Sequence, residues 1–347
     1  MPNQIVTEAI DAVASGVDLS TEQAQRVLRE IMSGEVEEAQ TAAFLIALRT
    51  KGETVDELVG LARTMRELAE HVDVPGDNLL DTAGTGGGRT PTFNVSTTAA
   101  LVAAAAGARV AKHGNRSATS LCGSADVLEA LGARIDLDPG AVCQCIDEVG
   151  FGFMFAPRHH KATRHVVPVR KALGVRTIFN FLGPLTNPAG AAYQLLGVGD
   201  PAFVEIIAGA LLELGAKRAA VVAGADGMDE VSVVAETHLL EVTPDGVTSH
   251  TISPERVGLE RAAADAVRGG TPAQNAAITR AVLEGEQGPR RALVVLNAGA
   301  ALFVAARVSG FEEGVRLAED AIDSGAALDT LERFVRKTKE LAPKETA

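Results

Sequence analysis

"LLDTAGTGGGRTPTFNVSTTAALVAAAAG" (residues 79–107) decides the architecture. Leu79 and Leu80 make a short apolar run that meets a glycine string. Asn94, Ser96 and Thr97 follow, and then an alanine-rich stretch of helical composition. A strand that empties into a glycine loop and resumes as a helix is the grammar of an α/β domain. Glycines let backbone N–H groups approach an anion with no Cβ in the way. The unpaired N–H groups of a following helix add partial positive charge at the same place. The stretch therefore predicts a phosphate or pyrophosphate cradle, completed by the side chains of Asn94, Ser96 and Thr97. It is not a Walker A loop, because no Lys-Ser/Thr closes it, and Arg89 stands where a dinucleotide fingerprint needs its third glycine. A tight turn capped by Ser96 is the plainer alternative.

Upstream, residues 1–72 read as about four short helices with no strand. Ser20 with Gln23 and Thr54 with Glu57 have the capping-box spacing. After Thr54, the residues Leu58, Leu61, Met65 and Leu68 recur at three and four and predict one apolar face. Downstream, "ARVAKHGNRS", "AAYQLLGVG" and "KRAAVVAGADG" read as strands. "SADVLEALGARI" and "PAFVEIIAGALLELG" read as helices, and a hairpin is expected around Asp245–Gly246. From 271 to 340 the pattern is helical again. Between 157 and 190 the strand signal lapses into a basic, helical stretch.

The chain has 347 residues, of which 46% are apolar and 3% aromatic, so its core must come from Ala, Val, Leu and Ile. That composition argues against disorder. The net charge of −13 argues against nucleic acid as the main partner. It leaves room for a small anion in a local basic pocket. The N-terminus lacks the basic and apolar regions of a signal peptide, and no stretch is long and apolar enough to suggest a membrane span. Three cysteines, Cys122, Cys143 and Cys145, suggest reduced, buried thiols in a cytoplasmic protein, since no second Cys or His pair stands at zinc spacing.

Two other stretches carry charge. Lys112, His113, Asn115 and Arg116 crowd the end of a predicted strand, where α/β sites gather. Residues 158–176 hold Arg158, His159, His160, Lys161, Arg164, His165, Arg170, Lys171 and Arg176, a basic run in an acidic chain. A guanidinium there could clasp a carboxylate bidentately. "GADGMDEVS" (224–232) sets Asp226, Asp229 and Glu230 around a glycine turn, an arrangement that suits Mg²⁺. For each, a solvated turn or helix face is the competing explanation.

Together these stretches resemble the anthranilate phosphoribosyltransferases. GTGG with TFNVST, KHGNR with GSADVLEALG, FMFAPRHH with PVRKALGVRTIFNFLGPLTNP, and DGMDEVS stand in that family's order across residues 20–340. The resemblance implies an α/β protein. A small all-helical domain (1–73, with an inserted helical segment near 165–190) joins a larger domain (74–164 and 191–347) with a mixed, mainly parallel central sheet. It implies transfer of 5-phosphoribosyl from phosphoribosyl pyrophosphate to the amine of anthranilate, with Mg²⁺ as cofactor, and a homodimer formed through the helical domain. Gly84, Thr85, Gly86, Gly87, Asn94, Ser96, Thr97 and Lys112 are then expected on the donor. Ser96, Asp229 and Glu230 are expected on the metal. Gly84, His113, Asn115, His160 and Arg170 are expected on the anthranilate side, with Arg170 on its carboxylate and His113 as the candidate general base.

The chain departs from the family pattern twice. Gly88 stands where GTGGD has its Asp, followed by Arg89, which is expected to meet phosphate. Cys122 stands where a Ser is frequent, which suggests an altered acceptor preference. A pyrimidine nucleoside phosphorylase, or a non-catalytic relative binding nucleic acid or phosphoribosyl ligands, is the alternative on the same fold. The former's lysine-serine motifs are absent, and the Asp229–Glu230 pair speaks against both.

Overall fold

The computed structural model describes residues 1–117 and 120–342. The chain opens with four helices, α1 (Gln4–Ala14), α2 (Thr21–Ser33), α3 (Glu38–Lys51) and α4 (Val55–Glu67). Both expected capping boxes form: Ser20 with Gln23 starts α2, and Thr54 with Glu57 starts α4. Each satisfies two N–H groups that a helix start leaves without partners. The apolar face of α4 ends at Met65, however. Leu68 is the C-cap of the helix and points outward, 42% exposed.

The rest of the chain builds one seven-stranded sheet. Its strands are β1 (Leu79–Asp81), β2 (Arg109–Gly114), β3 (Phe151–Phe155), β4 (Tyr193–Gly197), β5 (Arg218–Gly224), β6 (Thr237–Thr243) and β7 (Gly246–Ile252), in the spatial order β3-β2-β1-β4-β5-β6-β7. The first five pair in parallel, while β5–β6 and β6–β7 pair antiparallel, which gives the mixed, mainly parallel sheet. The hairpin turns at Pro244–Asp245, one residue earlier than expected, because Gly246 already pairs with Thr243.

Helix α5 (Val95–Ala105) follows the glycine loop, and α6 (Ser124–Ala130) and α7 (Pro139–Val149) follow β2. After β3 come three short helices, α8 (Ala156–His159), α9 (Val167–Leu173) and α10 (Phe179–Leu185), with a 3₁₀ turn at Lys161–His165. Helix α11 (Val204–Glu213) precedes β5. The chain ends in α12 (Pro272–Leu283), α13 (Pro289–Val304), α14 (Phe311–Asp323) and α15 (Ala326–Leu341).

The sheet divides two apolar layers, as the alternation along β5 makes plain. Ala219, Val221 and Ala223 join one buried cluster, with α1–α4, α9, α10 and α11. Ala220 and Val222 join the other, with α5–α7 and α12–α15. Side chains two apart share a face of a strand, so one sheet seeds both layers. The segment after β3 lies against the N-terminal helices, with the 3₁₀ turn on α2, α9 on α3 and α10 on α4.

This topology positions the site. From β1 the chain builds outward through β2 to β3, then returns to place β4 on the other side of β1. Ligands of open α/β sheets bind outside the strand carboxyl ends at such a reversal. The glycine loop leaves β1 at that point.

Candidate active site

A cleft of about 1320 Å³ opens at the carboxyl ends of the parallel strands. It brings together every residue expected from the sequence on donor, metal or acceptor: Gly84, Thr85, Gly86, Gly87, Asn94, Ser96, Thr97, Lys112, His113, Asn115, His160, Arg170, Asp229 and Glu230.

The glycines do two separate jobs. Gly86 and Gly87 have φ of 65° and 81°, the left-handed region that side chains rarely adopt. Gly84 and Gly88 instead permit close approach. A Cβ on Gly84 would lie 2.9 Å from the Gly197 carbonyl oxygen, and one on Gly88 would lie 2.4 Å from Asp229 Oδ1. The Thr85 N–H donates to the Gly197 carbonyl at 2.8 Å, which stitches the loop to the end of β4. The Gly88 N–H donates to the Asp229 carboxylate. Where relatives often carry a carboxylate, this chain thus lays bare backbone against one. From the other side, Arg176 donates to the Gly86 carbonyl at 3.1 Å, with its guanidinium 5.7 Å from the ring centroid of Phe181.

At the start of α5, Asn94 takes the cap position without a capping side-chain bond; Ser96 lies inside the helix. The Thr97 hydroxyl is buried with no partner. Lys112, 2% exposed, donates to the Thr82 carbonyl at 3.1 Å and hydroxyl at 2.9 Å, and to Ser96 Oγ at 3.4 Å. Burial pulls its pKa down while the charges of Asp81 and Glu230 resist.

Asp229 and Glu230 lie side by side on the turn after β5. Burial raises both, and the Asp229 charge helps push Glu230 up to about 8. Among the described residues no Lys or Arg forms an ion pair with either one. The turn itself is stapled. Asp226 accepts from the Met228 N–H and the Ser232 hydroxyl, so it is not free for a metal. Asn297 of α13 accepts from the Val231 N–H and donates to its carbonyl, both at 2.9 Å, fixing the backbone next to Glu230. Two desolvated, unpaired carboxylates suit a hard divalent cation. No group of three His, Cys, Asp or Glu able to hold a metal stands among the described residues. The rest of such a shell would come from Ser96 Oγ, water and ligand oxygens.

The opposite wall is built by β2 and the segment after β3. His113 holds its backbone N–H on Asp81 Oδ1 at 3.1 Å, and its ring Nδ1 donates to the Gly183 carbonyl at 3.0 Å. His160 tilts against it, ring centroids 5.1 Å apart, and bonds the Thr186 backbone. Burial above all keeps both rings neutral, helped by repulsion from His160 on His113 and from His159 on His160: His113 lies well below the ordinary value and His160 at about 4. The Nε2 atoms of both are buried without a partner. Each therefore offers a lone pair and no charge. Arg170 lines the same wall, its guanidinium 5.4 Å from the ring centroid of Phe179, and no carboxylate among the described residues pairs with it. Burial alone lowers its pKa.

Residues 76–328 match the glycosyl transferase family a/b domain, and residues 7–69 match that family's helical bundle domain. The chain is 54% identical to the anthranilate phosphoribosyltransferase of Rubrobacter xylanophilus over 97% of its own length and 99% of that protein's. The chain belongs to the anthranilate phosphoribosyltransferase family. The enzyme of the same name from Symbiobacterium thermophilum is also 54% identical, over 95% of this chain and 96% of that one. The Thermus thermophilus anthranilate phosphoribosyltransferase structure superposes with a TM-score of 0.90 at 47% identity, covering 95% of this chain and 99% of that one. The Saccharomyces cerevisiae enzyme in complex with PRPP and Mg gives a TM-score of 0.90 at 28% identity, covering 97% and 98%.

Within this family's pattern, the two departures take on structure. Arg89 is exposed and does not line the cleft; its N–H bonds the Gly227 carbonyl, and its side chain lies over Gly227. The Cys122 thiol faces Asn94, 3.1 Å from Oδ1. Burial pushes it up to about 11, so it stays a thiol. Cys122 and Cys145 are buried as expected, but Cys143 is half-buried, its thiol directed at the Asp73 carbonyl. Arg176, Asn275 and Asn297 also line the cleft, unassigned from sequence. Arg176 was visible only as one charge in the basic run. The two asparagines carry no local signal, because their partners are distant in sequence.

Proposed function

We infer that this chain catalyses Mg²⁺-dependent transfer of 5-phosphoribosyl from phosphoribosyl pyrophosphate to the amine of anthranilate. The products are N-(5-phosphoribosyl)anthranilate and pyrophosphate, in tryptophan biosynthesis. One observation carries the reading. A cradle of N–H groups, two unpaired carboxylates, an unpaired guanidinium and two neutral imidazoles line a single cleft.

The amine nitrogen attacks ribose C1, the bond from C1 to the pyrophosphate oxygen breaks, and pyrophosphate leaves with the electron pair. Gly84, Thr85, Gly86, Gly87 and the α5 start hold the pyrophosphate, with Asn94, Thr97 and Lys112 adding donors. Preorganised donors aimed at developing charge supply much of the acceleration. Ser96, Asp229 and Glu230 would hold Mg²⁺, which when bound would supply Lewis-acid stabilisation of the leaving group. Arg170 takes the anthranilate carboxylate, and Asn115 and His160 border the ring and amine. Aligning amine and C1 lowers the barrier further. His113 Nε2, a buried lone pair on a neutral ring, accepts the proton the amine gives up. No protein nucleophile is needed, and the protonated Cys122 does not compete for C1.

The decisive assay mixes protein, Mg²⁺, phosphoribosyl pyrophosphate and anthranilate. Anthranilate fluorescence falls; no loss with folded protein overturns the reading.

We further propose the division into a helical domain (1–73, with the segment near 165–190) and an α/β domain (74–164 and 191–347), and a cytoplasmic homodimer formed through the former. Supporting the dimer, α3 exposes Ala39, Ala43 and Ile46 along one face, and the adjoining α9 and the turn after it expose Val167 and Val175. Sedimentation of Ile46→Asp checks it: the variant runs at half the mass of the parent.

A further inference from the structure

The Asn94 amide could face an anion with either end, and the two orientations have opposite chemistry. The NH₂ end donates to a pyrophosphate oxygen, whereas the carbonyl end repels it. We propose that Asn275 is a positioning residue that fixes the polarity of Asn94, with the Cys122 thiol as a second lock on the same oxygen. The inference rests on the donor-site reading above and extends it to residues outside the glycine loop.

The orientation is dictated by backbone groups at both ends of a bonded chain. The Gly270 N–H can only donate, and it donates to Asn275 Oδ1 at 2.7 Å. The other end of the Asn275 amide is therefore its NH₂, which donates to Asn94 Oδ1 at 2.9 Å. The Cys122 thiol donates to that oxygen at 3.1 Å. Asn94 Nδ2 then faces the Cys122 backbone carbonyl, which can only accept, at 3.3 Å. One of its two N–H bonds is used there, and the other remains for the cleft that Asn94 lines.

The elements carrying these residues are closely joined. Asn275, 2% exposed, lies in the first turn of α12. One turn further along both helices, the Thr98 and Thr279 hydroxyls pair at 3.0 Å. The loop before α12 presses on the cradle: a Cβ on Gly269 would lie 2.5 Å from the Thr92 carbonyl oxygen. Helix α12 thereby sets which atoms the cradle offers to the donor. The thiol, in place of the family's frequent hydroxyl, keeps the donor role at that position with a weaker bond.

The test uses Asn275→Ala, Cys122→Ala and the double variant Asn275→Ala/Cys122→Ser. The readouts are KM for each substrate, kcat, the melting temperature, and calorimetric binding of inorganic pyrophosphate with Mg²⁺. Asn275→Ala raises the donor KM about tenfold and weakens pyrophosphate by a similar factor, the scale of one lost charge-assisted bond. The anthranilate KM stays within about twofold, because the far wall is untouched. The double variant recovers part of the loss, since a hydroxyl holds the Asn94 oxygen better than a thiol; a packing defect at 275 would not be repaired there. Both KM values rising together, an unchanged donor KM, or no recovery in the double variant overturns the proposal. Should Asn275→Ala not fold, Cys122→Ala decides: a donor-only rise of about threefold supports the lock, and none overturns it. Weakened pyrophosphate binding by Asn275→Ala in a protein that never consumes anthranilate supports the lock and overturns the reaction.

Discussion

The two walls of the cleft bind with different materials. The wall we assign to the donor is largely backbone: a loop whose glycines either turn left-handed or lie flat on Gly197 and Asp229, and the open start of α5, with the Lys112 cation beside it. The acceptor wall is side chain: Arg170 against Phe179, and His113 and His160 against one another, all partly or wholly withdrawn from water. Backbone dipoles suit a highly charged, variable-shaped pyrophosphate, because N–H groups at a helix start need no counter-charge. A flat aromatic acid with one carboxylate and one amine needs fewer, individually placed groups. In the proposed reaction a neutral His113 would accept from the amine without drawing the pyrophosphate across the cleft.

If the walls are separate, removing a group from one moves one substrate. The largest expected effect is at the carboxylates we assign to the metal. Asp229→Ala lowers kcat/KM about a thousandfold, roughly 4 kcal/mol, through metal-dependent donor use. Anthranilate binding measured by fluorescence stays near that of the parent; a matching loss there would show the walls are one unit. Next is Arg170→Ala, which raises the anthranilate KM about a hundredfold, the scale of a bidentate charged pair, with the donor KM little changed. Arg170→Lys recovers little of this, since an ammonium cannot form the fork. Reversal of these two patterns would mean the substrates sit on the opposite walls.

The acceptor wall also leaves a mark on stability. His160 is neutral in the fold down to about pH 4, against an ordinary value of 6.5. The unfolded chain therefore takes up a proton that the folded one refuses. The contribution is present in full above pH 6.5 and is lost as pH falls toward 4, about 3 kcal/mol in all. His160→Gln flattens the decline in melting temperature across that window. An equally steep decline would place the acid sensitivity elsewhere.

The same contrast explains what could be read from sequence. Except for Lys112 on β2, the wall assigned to the donor is one contiguous string whose strand, glycine loop and helix follow from local chemistry, and its expected residues reach the cleft. The acceptor wall was legible as residue types but not as chemistry: a basic run of charges gave no hint that His113 and His160 would be buried neutral. That follows from burial, which only the packed cleft supplies; the bonds to the Gly183 and Thr186 backbone, from α10 and its C-cap, push the other way. β3 shows no alternation because "FGFMF" is apolar throughout, and neither it nor α7 is among the elements the sequence pattern predicts. Leu68 fitted the period of α4 yet fell one residue past its end, where periodicity no longer dictates burial. Asn275 and Asn297 act through partners 181 and 66 residues away, which no local pattern encodes.

The donor wall's own departures give the two smallest effects, and they separate packing from charge. Gly88→Ala pushes a Cβ against Asp229 Oδ1 and its N–H, at 2.4 and 3.0 Å. The loop or the carboxylate must yield, and a donor KM about tenfold higher results, near 1.4 kcal/mol. Arg89 is the counter-case. Its exposed side chain lies over Gly227, outside the cleft lining, although its place in the sequence suggested a phosphate contact. Arg89→Ala therefore leaves the donor dissociation constant within about twofold, as for a surface change away from any site. A residual long-range attraction would disappear at 0.5 M salt, about the concentration at which exposed charges stop sensing one another beyond a few ångströms. A donor loss that survives that salt would mean the loop swings Arg89 onto phosphate when the donor binds. The donor wall would then gain a further side-chain cation beside Lys112.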